Sequence, residues 1–201
     1  VPNFNHSHDR SYQQLVRPRW SHRFNYQEHP ILRKGERSYL QETLAWARID
    51  LDFATGAALI EEIQSDWVSR AGSVRARAAD PRSWVGAGCY GCQGRPAALV
   101  AYVEEVLSPY AAVWEQAMLC AAIRFIREEL GIRRIWYHSW ETGAELKRVG
   151  ADRPPRSLYT ALPRRFCFAE TAEAPGFLLH HRSVRRRLKE IGEPRWLYLQ
   201  V

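Results

Sequence analysis

Cysteine is scarce in this chain. Four among 201 residues are too few to staple a fold of this size, so a disulfide framework is not its organising device. Long apolar runs are missing as well: no stretch of about 18 apolar residues occurs, and no membrane segment is expected. The N-terminus is polar and histidine-rich, without an apolar segment behind a basic one, so no signal peptide is expected either. These absences point to a reducing, cytoplasmic setting, in which Cys120 (in a predicted helix) and Cys167 (in a predicted strand) are buried free thiols. Internal repeats and low-complexity segments are also lacking.

What is present is a core-forming composition. Hydrophobic residues make up 46% and aromatics 12%, with 8 Trp, which argues for a folded globular chain rather than a disordered one. The length suits a single α/β domain over 1–201, with an N-terminal extension of about 37 residues packed on it. The net charge is +7, and almost all of the basic residues are arginine. Arginine grips planar anions through two parallel hydrogen bonds, so nucleic acid, a phosphorylated cofactor or an acidic protein are fitting partners.

Along the chain, residues 1–37 hold His6, His8, His22 and His29, scattered arginines and no sustained period. The aromatics Tyr12, Trp20, Phe24 and Tyr26 suggest that this segment packs down. HisSerHis at 6–8 has no further ligands at metal-binding spacing. Residues 38–49 suit a short helix or the start of a strand, and 50–56 end in a turn. Residues 57–67 read as a strand, followed by a helix or loop to Asp80. The glycine-rich stretch 80–96 predicts a long loop. Its Cys89-Tyr-Gly-Cys92 pair lacks the second pair that structural zinc needs and the helix start that a redox motif needs.

Residues 97–151 read as strand (97–106), helix (114–130), strand (132–139) and short helix (141–149), with Gly131 and Gly150 as stops. This is a β-α-β unit that predicts parallel strands and a right-handed crossover. Trp114, Met118, Ala121, Ala122, Phe125 and Leu130 share the core face of the long helix. Ser108-Pro109 marks a helix start. Residues 157–168 are predicted to return to the sheet, 182–192 to form a basic helix, and 195–201 a closing strand.

The order of elements over 97–151, with LeuLysArgValGlyAla at 146–151, resembles the central part of the GNAT acyltransferase superfamily. That resemblance implies a mixed central sheet with helices on its faces, an N-acyltransferase activity and acetyl-CoA as cofactor. The superfamily's pyrophosphate loop is glycine-rich, whereas LeuSerProTyrAlaAlaValTrpGluGln (107–116) has no glycine and Pro109 removes a donor. Lys147 also stands where the superfamily often has a tyrosine general acid. The missing glycine turn favours a second reading of the same resemblance, a non-catalytic GNAT-like domain that binds a small-molecule or protein ligand. GluGluIleGlnSerAspTrp (61–67) resembles a domain of large phage-associated polyvalent proteins, and that resemblance carries over no particular reaction.

Candidate chemistry centres on the same string. Strand alternation places Glu62, Gln64 and Asp66 on one face, and acids on a sheet strand must be paired or protonated, as a general base is. His138 lies at a strand's carboxyl end, where clefts form, between Trp136 and Trp140. The expected site is thus Glu62, Gln64, Asp66 and His138 around a cleft, with a carboxylate taking a proton from an amine or hydroxyl. A separate anion- or nucleic-acid-binding patch is expected from Arg182, Arg185, Arg186, Arg187 and Lys189.

Overall fold

The computed structural model of the chain describes residues 12–16, 24, 29, 32–34, 39–41, 43–78, 94–149 and 154–201. HisSerHis at 6–8, Trp20, Tyr26, Gly150 and the Cys89–Cys92 pair lie outside the described residues. The chain divides into two compact units. The first comprises Val1–Trp46 and Gln64–Ala117, the second Ala47–Ile63 and Met118–Val201.

The strands are β1 (Leu32–Lys34), β2 (Tyr39–Gln41), β3 (Trp46–Asp52), β4 (Ala57–Gln64), β5 (Arg134–His138), β6 (Ala169–Thr171) and β7 (Trp196–Gln200). The helices are α1 (Asp66–Ala78), α2 (Pro96–Ala101), α3 (Ser108–Ala111), α4 (Trp114–Arg124), α5 (Trp140–Lys147), α6 (Ala161–Arg165) and α7 (Arg182–Ile191). Wider π-type turns continue α2 over Tyr102–Leu107 and α4 over Phe125–Glu129.

β1 and β2 form an antiparallel pair, and the other five strands form one mixed sheet in the order β3-β4-β5-β7-β6. β4 and β5 are parallel, with Ala57 opposite Arg134 and Ile60 opposite Tyr137. β7 runs antiparallel to both β5 and β6. The protein is therefore a mixed sheet flanked by helices on its faces.

A parallel pair involving residues 132–139 is present, but its partner is β4 rather than 97–106. Residues 97–106 are helical, running through α2 into its π-type continuation. Pro96 sits in the first helical turn, Ala97, Ala98 and Ala101 favour helix, and Leu99 and Tyr102 bury one face at i, i+3. Glu104 and Glu105 accordingly lie exposed on a helix. Ser108 is not a cap, because the chain is already helical at Leu107.

α4 forms as expected, and Gly131 follows it at φ +68°, the left-handed geometry that ends helices. Its buried side chains are Trp114, Met118, Leu119 and Ala122, with Ile126 in the continuation, whereas Phe125 is exposed. The helix after β5 is stopped by Arg148 in the left-handed region, not by a glycine. Residues 157–168 form a 3₁₀ turn and α6 instead of a strand, and Cys167 sits at φ +63° just after α6. Cys120 and Cys167 are both exposed free thiols, correcting the expectation of burial. The helical stretch Pro96–Glu129 is, among the described residues, long and apolar enough by length and composition to cross a membrane.

The second unit builds its core on the sheet. On one face Ala57, Leu59, Trp136 and Trp196 pack with Leu188 of α7, flanked by Val184, Ile191 and Phe177. On the other, the Tyr137 ring meets Tyr159 at 5.5 Å and Phe168 at 5.9 Å. The first unit has an aromatic core. Trp67 is fully buried, with its ring centroid 5.0 Å from both Tyr12 and Phe24, and Tyr102 closes the cluster 5.8 Å from Tyr12. Each such buried ring contributes roughly 1.5–3 kcal/mol. Gly94 anchors this core: its N–H donates to the Val16 carbonyl at 3.0 Å, and a Cβ there would lie 1.8 Å from the Leu15 carbonyl oxygen.

Candidate functional site

The string Gln64-Ser65-Asp66-Trp67 is where β4 ends and α1 begins, so Asp66 is the first residue of a helix rather than part of a strand. Ser65 makes the junction. Its hydroxyl donates to the Leu44 carbonyl at 2.6 Å and accepts from the Val68 N–H at 3.1 Å, which is N-cap geometry. Trp67 drives into the aromatic core and holds the first turn of α1 in place.

Asp66 is thereby buried, its side chain fully excluded from solvent. Water is replaced by three favourable contacts. Gln64 Nε2 donates to Oδ1 at 2.9 Å, the N-terminal end of α1 offers its positive dipole, and His29 Nδ1 lies 2.9 and 2.8 Å from Oδ1 and Oδ2. A carboxylate accepts hydrogen bonds, so the ring nitrogen that faces it, Nδ1, is the donor of the pair. The His29 ring packs on Trp46 at 4.8 Å between centroids. Its side chain is 26% exposed, so the imidazole joins a buried anchor to solvent. All of these groups belong to the first unit.

Of the residues expected in the site, Gln64 and Asp66 are brought together, and His29 joins them. Glu62 and His138 belong to the second unit. Glu62 Oε2 accepts from Lys147 Nζ at 2.7 Å, and Arg48 lies 3.4 Å from Oε1. Lys147 also donates to the Glu61 carbonyl at 3.0 Å. The two glutamates and two cations form a closed, half-buried charge cluster. Beside it the Tyr159 hydroxyl is pushed up to about 12, chiefly by burial and then by Glu62 and Glu61, so it stays protonated.

His138 is buried, its ring stacked 4.9 Å from Trp196, with Gly143 of α5 so close that a Cβ would lie 3.0 Å from the histidine Cβ. Nδ1 has no hydrogen-bond partner among the described residues. Burial, reinforced by the Lys147 charge, pushes the imidazole down to about 3. It is a buried, neutral core ring. Trp136 shares its sheet face as expected, while Trp140 belongs to α5 and donates to the Pro154 carbonyl at 3.1 Å.

His29 was absent from the expected site because it lies 37 residues from Asp66, in a segment without periodicity. The available signal was indirect: a buried carboxylate demands a partner, and the extension supplies several histidines. No group of three or more His, Cys, Asp or Glu residues among the described residues is arranged to hold a metal ion. No family model, no curated protein and no solved structure matches this chain.

Proposed function

We propose that His29 and Asp66 form a general-base dyad serving acyl transfer or hydrolysis. The observation that carries this reading is the hydrogen bonding of His29 Nδ1 to a fully buried carboxylate beside a partly exposed imidazole. That is the arrangement in which an acid fixes the tautomer and stabilises the imidazolium formed during reaction. Nε2 takes the proton of a hydroxyl, amine or water as its oxygen or nitrogen bonds to an acyl carbon. The tetrahedral centre then collapses, expelling the leaving group, which takes that proton from the imidazolium. Gln64 holds the carboxylate in register, and Trp46 supplies an apolar wall.

The GNAT-like fold, with acetyl-CoA as donor, is the finer reading of the mixed sheet. Its support was a strand at 97–106 leading into a pyrophosphate loop. With helix over those residues and no glycine between 107 and 116, we expect no micromolar binding of acetyl-CoA in calorimetry. The dyad needs no such loop.

Turnover of 4-nitrophenyl acetate as an activated acyl donor tests the proposal. His29→Gln and Asp66→Asn should each lower the bimolecular rate on the order of 10²-fold while the circular dichroism spectrum stays unchanged. Rates equal to that of the unaltered protein in both variants contradict it.

A further inference from the structure

α7 carries its charge on one face. Arg182, Arg185, Arg186 and Lys189 stand at i, i+3, i+4 and i+7 and are all exposed. The opposite face is anchored: Leu188 is buried against Trp136 and Trp196, with Val184 and Ile191 beside it. Arg187 departs from the stripe, its guanidinium turning inward to donate to the Leu146 carbonyl. The expected five-residue patch is therefore four residues and a structural arginine.

Nothing local accounts for the stripe. Arg186 faces Glu190 at 3.5 Å across the surface. Among the described residues no carboxylate pairs with Arg182, Arg185 or Lys189. The first turn of α7 has no acidic residue and His181 provides no side-chain cap, so cations crowd the positive end of the helix dipole. That placement opposes helix formation by about 0.3–1 kcal/mol per charge. Arg182 and Arg185, set against the dipole and without a carboxylate partner among the described residues, are a local conflict of the kind that marks a functional surface.

We infer that this α7 face docks on the phosphate backbone of duplex nucleic acid. The four cations stand within eight residues, about 10 Å along the helix, and an α-helix fits a major groove about 12 Å wide. The stripe holds no aromatic side chain on which unpaired bases could stack and no large apolar one to enter a bilayer. Its chemistry is therefore charge-assisted contact with phosphates. The inference is independent of the His29–Asp66 dyad.

The test is fluorescence anisotropy of the full chain with a labelled 20-base-pair DNA duplex across a potassium chloride series. Three to four phosphate contacts predict a slope of log K against log salt of about −2.7 to −3.6. The triple variant R182Q/R185Q/K189Q should bind at least tenfold more weakly at low salt, with a slope near −1. Arg187→Gln should keep the slope and lower the melting temperature, since its bond is internal. No duplex binding at low salt overturns the inference, as does an unchanged slope in the triple variant. Sedimentation with phosphatidylserine vesicles but no duplex binding overturns it in favour of a membrane partner.

Discussion

Two histidines in this chain meet opposite surroundings, and their chemistry follows from them. His29 leans on a carboxylate and reaches solvent; His138 is sealed against Trp196 and Gly143. Because His138 is pushed from 6.5 down to about 3, the unfolded chain takes up a proton below pH 6.5 that the folded chain refuses until about pH 3. Its contribution to stability is complete above pH 6.5 and is lost progressively as the pH falls towards 3, with a slope of up to about 1.4 kcal/mol per pH unit. His138→Asn should flatten that slope in urea unfolding followed from pH 7 to pH 4. Gly94 offers a second test at this scale. Gly94→Ala places a methyl against the Leu15 carbonyl, a backbone group that cannot swing aside, and should destabilise by about 1–3 kcal/mol, read from the same unfolding curves.

At the scale of elements, local and tertiary signals part company. α4, β5, α5, α7 and β7 were legible because each carries its own period, and Gly131 marks the end of the helical run that α4 begins. Residues 97–106 were misread because an apolar run of that length suits a strand or a buried helix equally, and only its partners decide. Likewise, Asp66 and Trp67 were assigned to the strand because alternation continues through the string, while the Ser65 cap that ends it depends on Leu44, far along the chain. Arg148 ends α5 at φ 54° and ψ 39°, a conformation that costs an ordinary residue roughly 1–2 kcal/mol. Arg148→Gly should therefore raise stability by about 0.5–1 kcal/mol in thermal unfolding. Glu62→Gln should act in the opposite direction, losing about 1.5–3 kcal/mol as Lys147 forfeits its charged acceptor, with dyad activity unaffected.

At the scale of the whole molecule, the basic charge and the mixed α/β class were readable from composition and pattern. The pairing that makes the candidate site was not. Gln64 and Asp66 stood out as polar residues in the string 61–67, but the imidazole that pairs with the buried acid is His29, in a segment with no helical or strand period. Long-range pairs of this kind leave no local trace, because neither residue's neighbours encode the other. Nitrogen-15 NMR of the His29 ring tests that pairing most directly. At pH 8 the ring proton is expected on Nδ1, with Asp66→Asn shifting the population towards the Nε2–H tautomer. A ring protonated on Nε2 in the unaltered protein, indifferent to Asp66→Asn, contradicts it.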